Sequence, residues 1–475
     1  MFLSRVSTVY LASIATMTSF ASAQSGLRKS TTTDSATQIS AEPPLKHDSI
    51  FSSIFGSRNN KDNRHLTSSV HYSQMGIDID GLSTQEFLGK TVAMSQDGLR
   101  VAFGATGGDG GRGHALVFDW DAVLEEWVQI GQDIVGSISV GLGFSMDMNA
   151  DGSRIVLGAP ETNDDDGIVQ VFELDENNTW QVVGGTIIPQ DKGGQAGVAV
   201  SMNSSGDRVA VGAPRANGYK GRVVIYQLVD GSWVRVGQNI DCTEYYSSYS
   251  GASISLDGAG DRIVIGGRLG SYYTGYVKVF DYDASSSLWV LNGYLSGKDY
   301  YDRFGNSVDI SEDGNRIVIG AYTSDGQVLN RHDAGEFCIM EYNGSTWNMV
   351  GQQVIGTADG DQFGDSVSIS GDGSIVAISS PGSDDASINS GKVIVYKYSA
   401  DDDLWMKQDD LLGECSGDKL GEGGGAVALD HDGSHLAVGA QRGGSATYYS
   451  GMARVYESVA GEGDGTSGTT NNCQR

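Results

Sequence analysis

The hydrophobic and polar positions of this chain repeat with a fixed period. A short, almost continuously apolar segment, RIVLGAP at 154–160, returns as RVAVGAP at 208, RIVIGGR at 262 and RIVIGAY at 316. Related copies begin at 100, 375 and 435. The first five copies start 54 residues apart. A constant period of this length indicates a repeat architecture, in which each repeat is one supersecondary unit.

Each repeat is predicted to contain four short strands. The first, such as 304–311, leads into a tight turn such as Asp313-Gly314, where glycine adopts the positive φ that a hairpin needs. The second strand is apolar at consecutive positions, as in a strand covered on both faces. A glycine-rich loop precedes the third strand, and a polar hairpin leads to a fourth, such as 233–240. A tryptophan marks the fourth strand in six repeats: Trp127, Trp180, Trp233, Trp289, Trp347 and Trp405.

Seven such repeats predict an all-β fold, a seven-bladed β-propeller of four-stranded antiparallel blades. Residues 71–79 look like a fourth strand without its first three, with Tyr72 at the tryptophan position. The seventh repeat, in contrast, ends after its third strand at 453–458. We therefore predict a propeller over 68–460 that is closed by an N-terminal strand.

The two ends of the chain do not follow the period. Residues 1–23 contain Arg5, an apolar run and a closing Ala-Ser-Ala, which predicts a secretory signal peptide; a membrane anchor is the rival interpretation. No later stretch is apolar for 18 residues, so no transmembrane segment is expected in the mature chain. Residues 24–67 are predicted to be a disordered leader and 461–475 a flexible tail. These features predict a secreted, extracellular protein.

The net charge and the cysteine spacing limit the classes of partner and of metal site that the chain can have. The formal net charge is −29, which argues against nucleic acid and anionic lipid. The four cysteines are widely spaced and form no metal-type pair, and their disulfide pairing stays open. Asn177, Asn203 and Asn343 begin glycosylation sequons, and we expect all three on one face of the ring.

The repeat resembles the FG-GAP repeat of the integrin α-subunit propeller, over roughly 80% of the chain. The matching residues are Phe304-Gly305, Phe363-Gly364 and the Gly-Ala-Pro segments at 158–160 and 212–214, with weaker pairs at Leu88-Gly89 and Leu142-Gly143. The resemblance implies a seven-bladed ring and a role in extracellular recognition or cell adhesion.

The resemblance also implies calcium, which the family often binds between the first and second strands. Fragments of the acidic motif survive here, and they make Asp147, Asn149, Asp151, Asp309 and Asp313 weak candidate ligands. The last acid of the motif is absent from all seven repeats, and an arginine precedes its place in five. We therefore expect plain hairpins whose Asx side chains bond their own backbone, a weak calcium dependence and no other cofactor.

No catalytic motif is present: HExxH, GxSxG and the P-loop are all absent from the sequence. No catalytic residue is therefore predicted, and a non-enzymatic role is favoured. The alternative is an extracellular polysaccharide-cleaving hydrolase, because two acids that converge in a cleft leave no sequence signal.

Tyrosines form the most informative group. In a four-stranded meander, the loops after the second and fourth strands emerge on one face, and those loops contain eleven of the 21 tyrosines together with several arginines. Tyrosine and arginine supply rigid contact area and directed hydrogen bonds at interfaces. We predict that this face binds an extracellular protein or polysaccharide; the alternative is that the tyrosines only pack loop against loop. The predicted ligand-binding residues are Tyr219, Tyr245, Tyr246, Tyr249, Tyr272, Tyr273, Tyr300, Tyr301, Arg268 and Arg303.

Overall fold

The computed structural model of the protein describes residues 70–136, 141–189, 191–242, 247–325, 332–444 and 447–461. These residues form seven antiparallel sheets, each ordered as an inner, a second, a third and an outer strand. The inner strands of neighbouring sheets contact one another around a central axis. The prediction of an all-β, seven-bladed propeller is confirmed. The predicted signal peptide (1–23), the leader (24–67) and residues 462–475 of the predicted tail lie outside the described residues.

Four kinds of strand build blades 1 to 7. In blade order, the inner strands are Leu88–Met94, Ser145–Met148, Ala199–Met202, Ser253–Leu256, Ser307–Ile310, Val367–Ile369 and Val427–Leu429. The second strands are Arg100–Ala105, Arg154–Ala159, Arg208–Ala213, Arg262–Gly266, Arg316–Ala321, Ile375–Ser380 and His435–Ala440. The third strands are His114–Asp121, Ile168–Leu174, Arg222–Val229, Tyr276–Asp283, Glu336–Tyr342, Lys392–Ser399 and Met452–Ala460.

The outer strands differ between blades. They are continuous in blades 2, 4 and 6, at Trp180–Ile187, Leu288–Ser296 and Leu404–Leu412. They are divided in blades 1, 3, 5 and 7, at Glu126–Gln129 with Ile134–Val135, Ser232–Arg235 with Ile240–Asp241, Trp347–Met349 with Val354–Ile355, and Val70–Gln74 with Ile79–Asp80.

Within the described residues, helical structure is limited to single turns between the second and third strands of blades 1 to 4. They are Gly108–Gly111, Thr162–Asp165, Ala216–Tyr219 and Gly270–Tyr273. In the part of the chain that the structure describes, no helix has the length and apolar character needed to cross a bilayer.

The second strand is the buried centre of each blade because a neighbouring blade covers each of its faces. In blade 2, Ile155 and Leu157 pack into one core with Val117 of blade 1. Val156, which lies between them, packs into another core with Val209 of blade 3. Burial on both faces explains why these strands are apolar at consecutive positions instead of alternating.

The two repeated glycines lie where adjacent blades come closest. A Cβ added to Gly266, at the end of a second strand, would lie 2.1 Å from the carbonyl oxygen of Gly305 in the next blade. Gly305 itself has a φ of +79°, which side chains disfavour. The Phe-Gly and Gly-Ala signals therefore mark a contact between repeats, which only glycine allows.

The hairpins between the inner and second strands are joined by a closed ring of backbone hydrogen bonds, here called the axial belt. The N–H groups of Gln96, Ala150, Ser204, Gly258 and Glu312 donate in turn to the carbonyls of Ala150, Ser204, Gly258, Glu312 and Gly371. The belt closes where Asp372 donates to His431 at 2.9 Å and His431 donates to Gln96 at 3.1 Å. Every blade is therefore bonded to the next one near the axis.

Side chains cover the inner edge of each sheet, which no strand pairs. The Ser253 hydroxyl accepts from the Val308 N–H at 2.9 Å, and the Asp147 carboxylate accepts from the Met202 N–H at 2.7 Å. In both cases the acceptor belongs to the preceding blade. Because an unpaired backbone donor is costly, the inner strands need polar side chains at these positions.

Tryptophans brace neighbouring blades at the periphery. The indole of Trp289 covers Gly237 of the preceding blade, and its Nε1 donates to the carbonyl of Val236 at 3.1 Å. Trp180 and Trp405 make the same bond to the blade before them. The strand predicted at 233–240 is divided into Ser232–Arg235 and Ile240–Asp241, and Gly237, with a φ of +71°, lies between the two parts.

The ring closes between the first and last strands of the propeller. Val70–Gln74 pairs antiparallel with Met452–Ala460, and Ile79–Asp80 pairs with the start of the same strand. Tyr72 occupies the place of the tryptophan, and its hydroxyl donates to the carbonyl of Gly433. The predicted closure by an N-terminal strand is confirmed.

A buried ion pair reinforces this closure. Arg454 on the last strand is 3% exposed, and its guanidinium binds Asp78 at 2.8 Å and Glu414 at 3.0 Å. Asp78 belongs to the N-terminal segment, so the interaction links the two ends of the propeller directly.

The closure of the ring leads to a prediction about the free energy of unfolding. Replacing Tyr72 with Ala should lower the free energy of unfolding by about 3 kcal/mol, because it empties a buried ring site at the joint. Chemical denaturation followed by fluorescence measures the change. Tyr300→Ala, which removes a ring that is 70% exposed, is the control and should cost much less. Equal effects of the two substitutions would contradict a stabilising role for the closure.

Candidate functional site

The loops after the second and outer strands meet on one face, as the meander predicts. The loop that enters each blade donates a backbone hydrogen bond to the loop between the second and third strands of the preceding blade. The seven donor and acceptor residues, here called the rim pairs, are Phe87–Tyr449, Gly141–Gly111, Gln195–Asp165, Tyr249–Tyr219, Arg303–Tyr273, Gln362–Asp333 and Lys419–Asn389. All fourteen residues have a positive φ.

The acceptor positions of the rim pairs are strained where they hold a bulky residue. Four blades use Gly, Asp or Asn there, the residues that tolerate the left-handed region best. The other three blades use Tyr219, Tyr273 and Tyr449, at φ of 68°, 68° and 53°. A bulky residue in this conformation costs on the order of 1 kcal/mol or more. Local backbone preference therefore does not explain these tyrosines.

The tyrosine rings contact one another and still present their surfaces to solvent. Tyr273 stacks on Tyr301 at 5.4 Å with an interplanar angle of 16°, and Tyr272 meets Tyr300 edge-on at 6.0 Å. Tyr272 remains 79% exposed and Tyr301 63% exposed. The rings thus pack loop against loop and leave contact area free at the same time.

Four of the predicted tyrosines remain to be located: Tyr219, Tyr245, Tyr246 and Tyr249. Tyr219 and Tyr249 form a further ring pair at 5.5 Å, which continues the same surface into blade 3. Tyr245 and Tyr246 lie in residues 243–246, outside the described residues.

The two predicted arginines lie beside these rings. Arg303 donates to the Tyr322 hydroxyl, and its guanidinium lies 5.2 Å from the centre of that ring. Arg268 donates from Nη1 to the Asn306 side chain at 3.2 Å. Burial lowers the pKa of both arginines, and the charge of Arg268 lowers the pKa of Arg303 further. An arginine nevertheless stays protonated in proteins, so both remain cations.

Sequence reasoning missed a charged group near the axis on this face. Lys90, Asp365 and Glu422 each directly follow the repeated glycine of an inner strand. Burial lowers the pKa of Lys90 and raises the pKa of Asp365. A comparison of the residue after this glycine across the seven repeats would have identified the three charged residues.

Two buried carboxyl groups lie close together beneath the loop that carries Tyr301. Asp302 is 4% exposed and Glu336 is 8% exposed, and Ser324 hydrogen-bonds to both. Burial, followed by the charge of Asp302, raises the pKa of Glu336 to about 7. Burial also raises the pKa of Asp302 to about 6.

Other blades place a base at the position of Glu336. In blade 1, His114 lies 3.1 Å from Glu86, and in blade 6, Lys392 lies 3.8 Å from Asp361. In blade 5, an acid therefore lies opposite a second acid. At neutral pH, at least one of the two is protonated, or the charged pair has a large desolvation cost.

The Asx side chains predicted as weak calcium ligands are used by their own hairpins. Asn149 accepts from the Arg154 N–H at 2.7 Å and donates to Asp151 at 2.8 Å. Asp313 accepts from the Asn315 N–H at 2.9 Å. These bonds fix the hairpin turn without a metal.

Asp147 and Asp309 turn towards the central channel, a cavity of about 250 Å³. Asp147 accepts hydrogen bonds from Met148, Ser201 and Met202, and Asp309 accepts from Ser255, Ile310, Ser368 and Ile369. Burial raises the pKa of Asp147 to about 6. Calcium takes six to eight oxygen ligands. The candidate residues do not fit it, and the described residues include no group of three or more His, Cys, Asp or Glu that could hold a metal ion.

Arginines brace the hairpins instead. Arg154 donates from Nη1 to the carbonyl of Gly206 in the next hairpin at 3.1 Å and pairs with Glu173 at 2.7 Å. Four further arginines donate to a hairpin glycine of the next blade: Arg100, Arg208, Arg262 and Arg316. In these five blades, the positive charge next to the hairpin turn is therefore that of an arginine side chain.

The three sequons differ in accessibility. Asn177 and Asn343 are exposed in hairpins between third and outer strands. Asn203 is 4% exposed, and its amide donates to Ser205 at 2.9 Å and to Asp207 at 3.0 Å. A glycan on Asn203 is therefore incompatible with this fold, whereas Asn177 and Asn343 stay candidate sites.

Comparisons with known proteins agree with the repeat. The profile of the FG-GAP repeat family matches residues 296–337 and 356–396, so the expected resemblance is confirmed. No curated protein matches the chain at a significant level.

Two solved structures show a distant similarity to the chain. They are proteins named provisionally as 6-phosphogluconolactonases, from Bacteroides uniformis and Bacteroides fragilis, at 12% and 11% identity and TM-scores of 0.48 and 0.46. Each alignment covers 68% of this chain, and 85% and 84% of the respective neighbour.

Calcium removal provides a test of the arginine bracing. Adding a chelator such as EGTA should shift the melting temperature by less than about 2 °C, because hydrogen bonds from Asx and arginine side chains hold the described hairpins. Differential scanning calorimetry with and without added calcium measures the shift. A drop of more than about 5 °C would show that an ion stabilises the fold through other ligands.

The buried acid pair predicts an unusual pH dependence. Because the folded pKa of Glu336, about 7, lies above its ordinary 4.5, the pair contributes stability that is complete below pH 4.5 and lost as the pH rises to about 7. Glu336→Gln should therefore stabilise the protein at pH 8 by about 1 to 3 kcal/mol and much less at pH 4.

Denaturation curves at both pH values check this prediction. The exposed Glu176 provides the matched control, since Glu176→Gln should change stability little at either pH. If Glu336→Gln destabilises the protein equally at pH 4 and pH 8, the contribution of this side chain does not depend on its charge and the prediction is wrong.

Proposed function

We propose that this seven-bladed FG-GAP repeat propeller is a secreted recognition or adhesion module that binds an extracellular protein or polysaccharide through its tyrosine-rich face. The observation that carries the proposal is the placement of Tyr219, Tyr273 and Tyr449 at rim positions where Gly, Asp or Asn serve in the other blades. Strain at a repeated position that the fold does not require is typical of functional surfaces.

The chemistry of the face supports binding. Its exposed rings stack on one another, which restricts their motion before a ligand arrives, and restricted side chains lose less entropy on binding. Arg268 and Arg303 add directed hydrogen-bond donors next to the rings. Tyrosine and arginine are the residues that dominate binding energy at protein surfaces.

We also propose that the protein acts by binding and does not cleave its ligand. The carboxyl pair with raised pKa values on this face, Asp302 and Glu336, is 4% and 8% exposed. A glycosidic bond needs direct access to an acid and a second carboxylate, and a pair beneath a loop does not offer it.

The test removes rim tyrosines without disturbing the backbone. The triple variant Tyr219→Asn, Tyr273→Asn and Tyr449→Asn copies the natural choice of blade 6, where Asn389 occupies the same position. Because Asn tolerates the left-handed region, the melting temperature should not fall. Retention on immobilised matrix polysaccharides and matrix proteins should weaken at least about tenfold.

The control is Tyr294→Asn, which removes a tyrosine that is 43% exposed on an outer strand. It should bind like the parent protein. If the folded triple variant binds as strongly as the parent, the tyrosine face is not the binding surface. New reducing ends after incubation with the bound polysaccharide would overturn the proposal of binding without cleavage.

A further inference from the structure

Most arginines in the described part of the propeller pair with an acid; the exposed Arg235, which donates to Asn239, is an exception. The chain has 31 basic and 60 acidic residues, so a partner is easy to find. Pairs at 3.0 Å or less include Arg100–Asp119, Arg154–Glu173, Arg262–Asp281, Arg316–Glu341 and Arg454–Asp78. Against this background, an arginine without a carboxylate partner needs an explanation.

Arg268 and Arg303 are such arginines. Within the described residues, the polar contacts of the two guanidinium groups are neutral: the Asn306 amide for Arg268, and the hydroxyl and ring of Tyr322 for Arg303. Asp365 lies near Arg268, but its Oδ2 accepts from the Gly423 N–H at 2.9 Å. Asp333 acts on Arg303 only at a distance. Among the described residues, neither guanidinium group therefore takes part in a direct ion pair, although the charges of Asp365 and Asp333 raise the pKa of Arg268 and Arg303 respectively.

The two arginines lie on loops that are bonded to each other, because the Arg303 N–H donates at 2.9 Å to the carbonyl of Tyr273 in the loop that also carries Arg268. The charge of Arg268 disfavours the charged form of Arg303, and burial disfavours both, which is what lowers their pKa values. Two adjacent cations of this kind are unfavourable in the free protein, and an anion between them would relieve both costs. Guanidinium groups match carboxylate and sulfate oxygens in a two-pronged geometry.

The surroundings favour a sugar over a protein as the carrier of that anion. Within the described parts of the loops 213–221, 241–250, 267–275 and 296–303, every exposed large hydrophobic side chain is tyrosine: Tyr219, Tyr272, Tyr273, Tyr300 and Tyr301. The core of a protein interface is enriched in Trp, Phe and Met as well as in Tyr and Arg. Flat rings beside a cation instead suit a sugar ring that carries one acidic group.

Net charge limits how acidic the ligand can be. A densely charged polyanion would be repelled by a protein of net charge −29, whereas a single acidic sugar needs only the local positive site.

We propose that Arg268 and Arg303 form an anion-binding recess on the tyrosine-rich face, which takes the carboxylate or sulfate group of a sparsely charged acidic polysaccharide. This inference rests on the proposed function, because it names the ligand class of the same face. The guanidinium groups bind the acid, and the neighbouring tyrosines contact the sugar ring.

The experiment measures binding of small probes to the full chain by titration calorimetry. The probes are methyl glucuronide, inorganic sulfate and neutral methyl glucoside. Methyl glucuronide or sulfate should bind at least about tenfold more tightly than methyl glucoside, since only they offer charged acceptors. Preference for one of the two anions identifies the acidic group as uronate or sulfate. Equal affinity for methyl glucuronide and methyl glucoside, with no binding of sulfate, would overturn the proposal.

Variants then locate the site. Arg268→Gln and Arg303→Gln should each weaken anion binding at least about tenfold, and Arg303→Lys should restore part of it, because lysine keeps the charge and loses the two-pronged geometry. Arg235→Gln, at an exposed arginine of an outer strand, is the control and should bind like the parent. If a variant does not fold, stabilisation of the parent protein by each probe in thermal melts still compares anionic with neutral sugars.

The outcomes separate this inference from the proposed function. If the tyrosine variant loses retention on polysaccharide but the arginine variants keep it, the recess is wrong and the recognition face stands. If the arginine variants lose anion binding while the tyrosine variant keeps every ligand, the recess stands and the tyrosine face is wrong. Binding of an acidic peptide in place of both sugars would overturn the assignment to a polysaccharide.

Discussion

The structure depends on covering the inner edges of its seven sheets. An inner strand pairs with a second strand on one side only, and its other edge would present unpaired backbone groups at the axis. The axial belt and the side chains of the preceding blade supply the missing partners, as Ser253 does for Val308. Because each blade is covered by its neighbour, the arrangement is complete only in a closed ring. The pairing of Val70–Gln74 with the last strand is therefore a requirement of the fold.

Bracing between blades occurs at three distances from the axis. The axial belt acts at the centre, arginines such as Arg154 act at the hairpins, and tryptophans such as Trp289 act at the periphery. The arginine gives a physical reason for the degenerate calcium motifs. A permanent cation that already bonds the next hairpin stabilises the same turn and would repel a metal ion. In five blades, an arginine directly precedes the place of the absent last acid of the calcium motif.

A rigid ring allows its rim to carry unfavourable local conformations. All seven blades fix the rim backbone with the same inter-loop hydrogen bond, so the side chain can change while the scaffold stays constant. Asn389 and Tyr219 occupy equivalent positions with a similar backbone and present very different chemistry. Arg268, whose hydrogen-bond partner is the neutral Asn306, and the buried pair of Asp302 and Glu336 lie near the same rim. Costs to stability therefore collect on the face that we propose to bind the ligand, as expected where function competes with folding.

The sequence by itself determined the blades, their number, the closing strand and the face on which the tyrosines emerge. These follow from hydrogen-bonding patterns that are local to one repeat, such as the hairpin at Gly314, and from counting repeats. Only the tertiary structure decided that Arg268 lies beside Arg303, that Glu336 faces another acid and that Asn203 is buried. Those contacts join different loops and strands, and no local pattern records which side chains meet when neighbouring blades pack into a ring.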